Sequence, residues 1–152
     1  MKLDYLMSYE GTLSPVSQPV GRGPFGERMI AEVTGGTFEG PRLKGEILTC
    51  GGDWILTGDD GFGRLDVRLT MKTDDGAHIY VQYGGLLEFN EKVQAAFADG
   101  SGTEYGDAYF MTQPRFETGD ERYAWLNQLV AVGQGRLLPG GVAYDVYACM
   151  ND

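Results

Sequence analysis

Glycine punctuates this chain more heavily than anything else in it. Of 152 residues, 24 are glycine. They fall singly, in Gly-Gly pairs and after aspartate, cutting the sequence into short apolar-rich intervals. Asp59-Asp60-Gly61, Asp74-Asp75-Gly76 and Asp99-Gly100 are turn signals, because Asp bonds its own backbone and Gly accepts positive φ. The intervals read as strands: Leu3–Tyr9, Arg28–Thr34 kinked by Gly35-Gly36 into Thr37–Glu39, Leu43–Cys50, Asp53–Thr57, Arg64–Lys72, His78–Tyr83 and Tyr109–Phe116. A last pair, Leu129–Leu138 and Val142–Met150, is joined by Pro139-Gly140-Gly141. Glu91–Ala98 is the one clear helix, with Asn90 as N-cap and Gly100 past its end. Asp120–Asn127 reads as a helical turn. Nine or ten short strands with one helix predict an all-β, closed antiparallel barrel of lipocalin or streptavidin type, in a single domain over residues 1–152.

Charge and cysteine usage narrow the partners. Twelve basic and 22 acidic residues give a formal charge of −10, which disfavours nucleic acid and anionic lipid. No apolar run is long enough for a membrane helix, and no secretory leader is visible. Cys50 and Cys149 read as free thiols of a cytoplasmic protein. With one histidine, neither the usual zinc site nor a nucleophilic triad is expected unless His78 serves it. Gly21-x-Gly23-x-x-Gly26 matches the dinucleotide fingerprint formally, but Pro24 interrupts it and no helix follows. The acidic turns lack the alternation of a calcium loop. No cofactor and no metal is expected.

The chemistry depends on which face of a strand turns inward. Leu65, Val67, Leu69 and Met71 alternate with Arg64, Asp66, Arg68 and Thr70; Ile79, Val81 and Tyr83 alternate with His78, Tyr80 and Gln82. If the apolar set faces inward, the polar set is a solvated ladder. If the polar set does, Asp66, Arg68, Tyr80 and His78 line a pocket. Asp53-Trp54 after Gly51-Gly52 either caps a turn over a core Trp or contributes to that pocket. The run Arg115–Asn127 is either a structured corner or a lid over the barrel mouth.

Several ordered motifs resemble one family. Gly35-Gly36-Thr37-Phe38-Glu39-Gly40-Pro41, Gly52-Asp53-Trp54, Leu65-Asp66-x-Arg68, Thr73-Asp74-Asp75-Gly76-Ala77-x-Ile79-Tyr80-Val81 and Phe116-Glu117-Thr118-Gly119-x-x-Arg122-Tyr123-x-Trp125-Leu126-Asn127 are similar to those of the DUF3237 (UPF0311) family. The resemblance implies a small bacterial or fungal β-barrel. It further implies, for some members, a cofactor-free enzyme of aromatic catabolism. Such members decarboxylate lignin-derived phenylcoumaran acids with opening of the dihydrofuran ring to a stilbene. The resemblance favours the pocket reading of the residues.

On that reading the function is a cofactor-independent lyase, a decarboxylase of a small aromatic carboxylic acid. Arg68 would clamp the carboxylate bidentately. Asp66, Tyr80 or His78 would protonate the leaving oxygen. Asp53, Trp54, Arg115, Glu117, Tyr123, Trp125 and Asn127 would surround the substrate. The same set suits a cofactor-free isomerase or dehydratase. The rival readings are a lipocalin-like carrier of an aromatic molecule and a purely structural module. A homodimer through an outer barrel face is compatible with this architecture.

Overall fold

A computed structural model describes all of residues 1–152. Its elements in chain order are β1 (Lys2–Leu13), β2 (Gln18–Gly23), β3 (Gly26–Glu39), β4 (Lys44–Ile47), β5 (Gly51–Thr57), β6 (Phe62–Thr73), β7 (His78–Glu88), α1 (Glu91–Asp99), β8 (Phe110–Glu117), a 3-10 segment (Glu121–Gln128), β9 (Val130–Leu138) and β10 (Gly141–Met150). All pairings are antiparallel. The ring runs β1, β10, β9, β8, β7, β6, then β4 and β5 together, then β3, and β3 returns to β1. The result is a closed eight-position barrel.

Two features make closure work. The first is that β3 changes partners along its length. Glu27–Val33 pair with β5, whereas Gly36–Glu39 pair with β4 on one side and β1 on the other. The bend falls at Gly35-Gly36. At Gly36, φ is +139°, and an added Cβ would meet the Glu10 carbonyl oxygen at 2.0 Å. Only glycine lets the two backbones cross there. The second feature is that β4 and β5 share one place in the ring, pairing with the two halves of β6 in turn.

The segment between the expected strands Leu3–Tyr9 and Arg28–Thr34 holds an additional strand, β2, laid against the start of β3. Pro19, Gly21 and Gly23 hid it, being poor strand formers. The apparent dinucleotide fingerprint is the turn of this hairpin, with Gly23 paired to Gly26. The helix expectation holds closely. Asn90 Oδ1 accepts the Val93 amide at 3.1 Å, and Gly100 ends α1 in the left-handed region.

The barrel interior is packed at one end and hollow at the other. Leu6, Met7, Met71, Ile79 and Leu126 fill the end near the β6–β7 turn. At the opposite end α1 lies across the opening, burying Val93 and Ala96. No helix is long and apolar enough to cross a membrane. Cys50 and Cys149 are free.

Candidate functional site

The hollow end contains a cavity of about 340 Å³. It is roofed by Leu13–Pro15, the β9–β10 turn and the C-terminal end of α1, including Phe97. Its walls are mainly aliphatic, from Met29, Val33, Ile55, Leu65, Val67 and Leu137. Its polar groups are few: Asp53, Tyr83 and Tyr144, with Ser14 and Ser101 at the mouth. No lysine, arginine or histidine lines it. An apolar enclosure with a few convergent polar groups is the usual form of a small-molecule site.

Asp53 lies on the inward parity of β5, beside a gap in its ladder with β6. Strands β5 and β6 pair at Gly52–Asp53 and again at Leu56–Thr57, but not at Trp54 and Ile55. The amide of Asp66, left without a ladder partner, donates to Asp53 Oδ1 at 3.0 Å. The carboxylate thus substitutes for a backbone acceptor while facing the cavity. Burial pushes its pKa up from 3.8 to about 6, against the lowering effect of the Asp66 amide. A carboxyl group poised near neutrality suits proton transfer in either direction.

Tyr83 and Tyr144 stand beside it, with ring centroids 5.4 Å apart in an edge-on arrangement. Phe110 packs edge-on against Tyr144 at 5.4 Å. Tyr9, behind them, lies 4.9 Å from Tyr144 and 6.3 Å from Tyr83. Burial raises the pKa of all three phenols well above 10, so they are neutral donors.

The structure corrects the expected pocket. On β6 the apolar set faces inward and is buried, while Asp66 and Arg68 are exposed on the outer face. His78 and Tyr80 are exposed on the outside of β7. Closing the barrel on Leu65, Val67, Leu69 and Met71 leaves the polar parity no interior position. Arg115 and Glu117 lie on the outer face of β8, opposite Gln82 and Tyr80. Asp66, Gln82 and Arg115 share an outer groove whose lining meets that of the cavity at Tyr83. Trp54 also faces outward, 39% exposed. Its ring folds over Gly52, where a Cβ would sit 3.2 Å from it, so it neither fills the core nor lines the cavity.

The Arg115–Asn127 run is a structured corner and not a lid over the mouth. It closes the barrel end opposite the cavity. Tyr123 donates to the Asp75 carboxylate at 2.9 Å, and Arg122 bridges Asp75 and Asp120 at 3.2 and 2.8 Å. The Thr73 hydroxyl and that of Tyr123 hold the Asp75 carboxyl below its ordinary pKa. Asn127 clamps Thr118, accepting from its amide at 2.8 Å and donating to its carbonyl at 2.9 Å. Trp125 lies under the Arg42 guanidinium, 3.7 Å from its centre. Of the expected site residues, Asp53 alone faces the cavity. Tyr83 and Tyr144 escaped notice because each sits in an apolar parity and reads as core. Their signal was a phenol on the inward face of a barrel strand. No group of three or more His, Cys, Asp or Glu side chains is placed to hold a metal ion.

Comparison with known proteins agrees with this architecture. A β-barrel-like protein of Acinetobacter baumannii has a solved structure matching 97% of this chain and 94% of its own, at 37% identity and a TM-score of 0.82. A UPF0311 protein of Rhodopseudomonas palustris is 31% identical over 122 residues, 80% of either chain. A hydroalkoxylation enzyme of Penicillium herquei is 27% identical over 107 residues, 70% of this chain and 56% of that one. The family described as "Protein of unknown function (DUF3237)" matches residues 1–149. The chain belongs to the DUF3237 family, whose members include the UPF0311 proteins.

Proposed function

We propose that this protein is a cofactor-independent acid–base enzyme that makes or breaks a carbon–oxygen bond in a small, predominantly apolar aromatic molecule held in the barrel cavity. The observation that carries the reading is a single carboxyl group, Asp53, with its pKa raised by burial to about 6, facing an apolar cavity beside two neutral phenols. In the bond-breaking direction the Asp53 carboxylate takes a proton from the carbon next to the C–O bond. The C–O electron pair leaves with oxygen, and a Tyr83 or Tyr144 hydroxyl stabilises the departing oxygen. In the bond-making direction Asp53 takes the hydroxyl proton, the oxygen adds to the alkene, and the proton returns to carbon. Hydroalkoxylation, the activity named for the Penicillium relative, is the second direction; the first opens a ring, as expected from the sequence, but with loss of a proton in place of CO2.

Loss of CO2 is not part of the reading. The expected carboxylate clamp has no counterpart here, since no cation lines the cavity. Arg68, the expected clamp, and Arg115 are on the outer surface. A carrier function shares the cavity but gives no use to a carboxyl group held near neutrality.

The test is to incubate the protein with hydroxyaryl alkenes and their cyclic ethers in D2O, following interconversion and deuterium uptake by NMR. Asp53→Asn should lower the rate by about 10²–10⁴-fold. Turnover by Asp53→Asn at the wild-type rate would overturn the proposal.

A further inference from the structure

The hydroxyl of Tyr9 is fully buried and has no hydrogen-bond partner. An orphaned buried donor of this kind is destabilising, so its presence calls for a reason beyond packing. A phenylalanine would fill the same volume without that cost. Tyr9 also stands in a defined place: it touches the two phenols that line the cavity, and its ring is tilted against Tyr144. The Tyr83 and Tyr144 rings are themselves in edge-on contact, with centroids 5.4 Å apart. Three phenols therefore converge behind the cavity wall, with no base among them to take their protons.

We infer that Tyr83 and Tyr144, supported from behind by Tyr9, form an oxyanion-binding site, and that the ligand class is a phenol or enol whose oxygen becomes anionic in the cavity. This rests on the proposed acid–base function and names its substrate. A phenol that donates to an anion becomes a better acceptor for the next phenol, so a chain of three strengthens along its length. The Tyr9 hydroxyl then has a neighbouring phenol made a better acceptor by the anion. Charge balances as well. When Asp53 takes the ligand's proton it becomes neutral, and the single negative charge moves from the carboxylate to the ligand oxygen. The cavity holds one negative charge before and after, and no cation is required.

The geometry assigns separate roles. Tyr83 and Tyr144 line the cavity and touch the ligand oxygen; Tyr9 is a positioning residue acting through them. Asp53 opposes an already formed anion while it is itself ionised, because both charges would share one apolar space.

The probes are 4-nitrophenol and its methyl ether, 4-nitroanisole, titrated into the full chain near the pKa of Asp53, where the carboxyl can hold the ligand's proton, with the phenolate absorbance band as readout. The wild type should bind the phenolate in preference to the ether. Tyr83→Phe and Tyr144→Phe should each reduce that preference about tenfold or more, as loss of a hydrogen bond to a charged group does. Tyr9→Phe should reduce it less and shift the bound absorbance band, while leaving the thermal midpoint unchanged or higher. Asp53→Asn should strengthen phenolate binding. Equal binding of phenol and ether, absence of binding of both at millimolar concentration, or phenolate affinity indifferent to Tyr83 and Tyr144 would overturn the inference. A Tyr9→Phe protein that melts earlier would show a packing role and overturn its part. Failure here with Asp53→Asn still inactive in the D2O assay removes the oxyanion site alone. The converse, phenolate binding with an active Asp53→Asn, removes the acid–base function instead.

Discussion

Asp53→Asn also perturbs stability, in a way the structure quantifies. Asparagine keeps the acceptor for the Asp66 amide, bonded at 3.0 Å, and removes only the charge. The carboxyl pKa moves from 3.8 to about 6 on folding. A raised acid pKa means that the native state disfavours the carboxylate, so wild-type stability is fullest below the unfolded pKa. It declines as pH rises from about 4 to about 6 and is level above. A shift of about two units at about 1.4 kcal/mol each gives roughly 3 kcal/mol. Allowing for the residual solvent exposure of the group and the cost of burying the amide, Asp53→Asn should gain about 1–3 kcal/mol at neutral pH. That corresponds to a midpoint rise of about 3–10 °C for a chain of this size. At about pH 4 the gain should vanish, since both side chains are then neutral. Urea unfolding of both proteins at the two pH values measures the difference, and common contributions from other carboxylates cancel. A gain independent of pH, or a destabilised variant at neutral pH, would refute the burial assigned to Asp53. Such a gain would also explain why the wild-type residue is suited to chemistry: the charge it destabilises is the one it exchanges with a ligand.

Four further outcomes follow from the same geometry. Arg68→Ala and Asp66→Asn should leave turnover and probe binding at wild-type levels, because both side chains lie outside the barrel. Tyr123→Phe should lower the thermal midpoint through loss of the bond to Asp75, with probe binding unchanged, since this corner closes the opposite end. Gly36→Ala should cost about 3 kcal/mol or more, or abolish folding, by forcing a Cβ into the Glu10 carbonyl; Gly76→Ala, with φ of +94° but open space around it, should cost only about 1 kcal/mol in thermal unfolding. The forward rate in the D2O assay should rise with pH through about 6, where Asp53 becomes a base, and Asp53→Asn should erase that step.

The barrel was legible because its turns and strand alternation are local. Asp74-Asp75-Gly76 sets a hairpin, and Leu65 to Met71 set a period of two, whatever surrounds them. Which parity faces inward is not local. Asp66 and Arg68 suit a polar pocket as well as a solvated face, and only closure of eight strands around the apolar set decides between them. The same closure converts Tyr83 and Tyr144 from apparent core into cavity walls, since the space they border is left by α1 and the β9–β10 turn failing to fill the barrel. Asp53 stood out earlier because a carboxylate inside Gly-Gly-Asp-Trp has no evident place in a strand. Its carboxylate faces inward beside a gap in the β5–β6 ladder and accepts the Asp66 amide freed there, which depends on pairing register and not on the residues themselves. The Arg115–Asn127 run shows the reverse: dense in aromatics and charge, it owes its composition to a network of hydrogen bonds that seals one end.

The central claim is that ligands bind inside the barrel and not on its polar outer face. The most direct measurement is an NMR titration of isotope-labelled protein with 4-nitrophenol, following backbone amides. The account predicts saturable shifts at Asp53, Asp66, Tyr83, Phe97 and Tyr144, the last reporting the hollow end. The Asp66 amide shifts with them through its bond to the Asp53 carboxylate. Shifts confined to Arg68, Tyr80, Gln82 and Arg115, with Asp53 and Tyr144 unmoved, would place the site on the outer surface and contradict it.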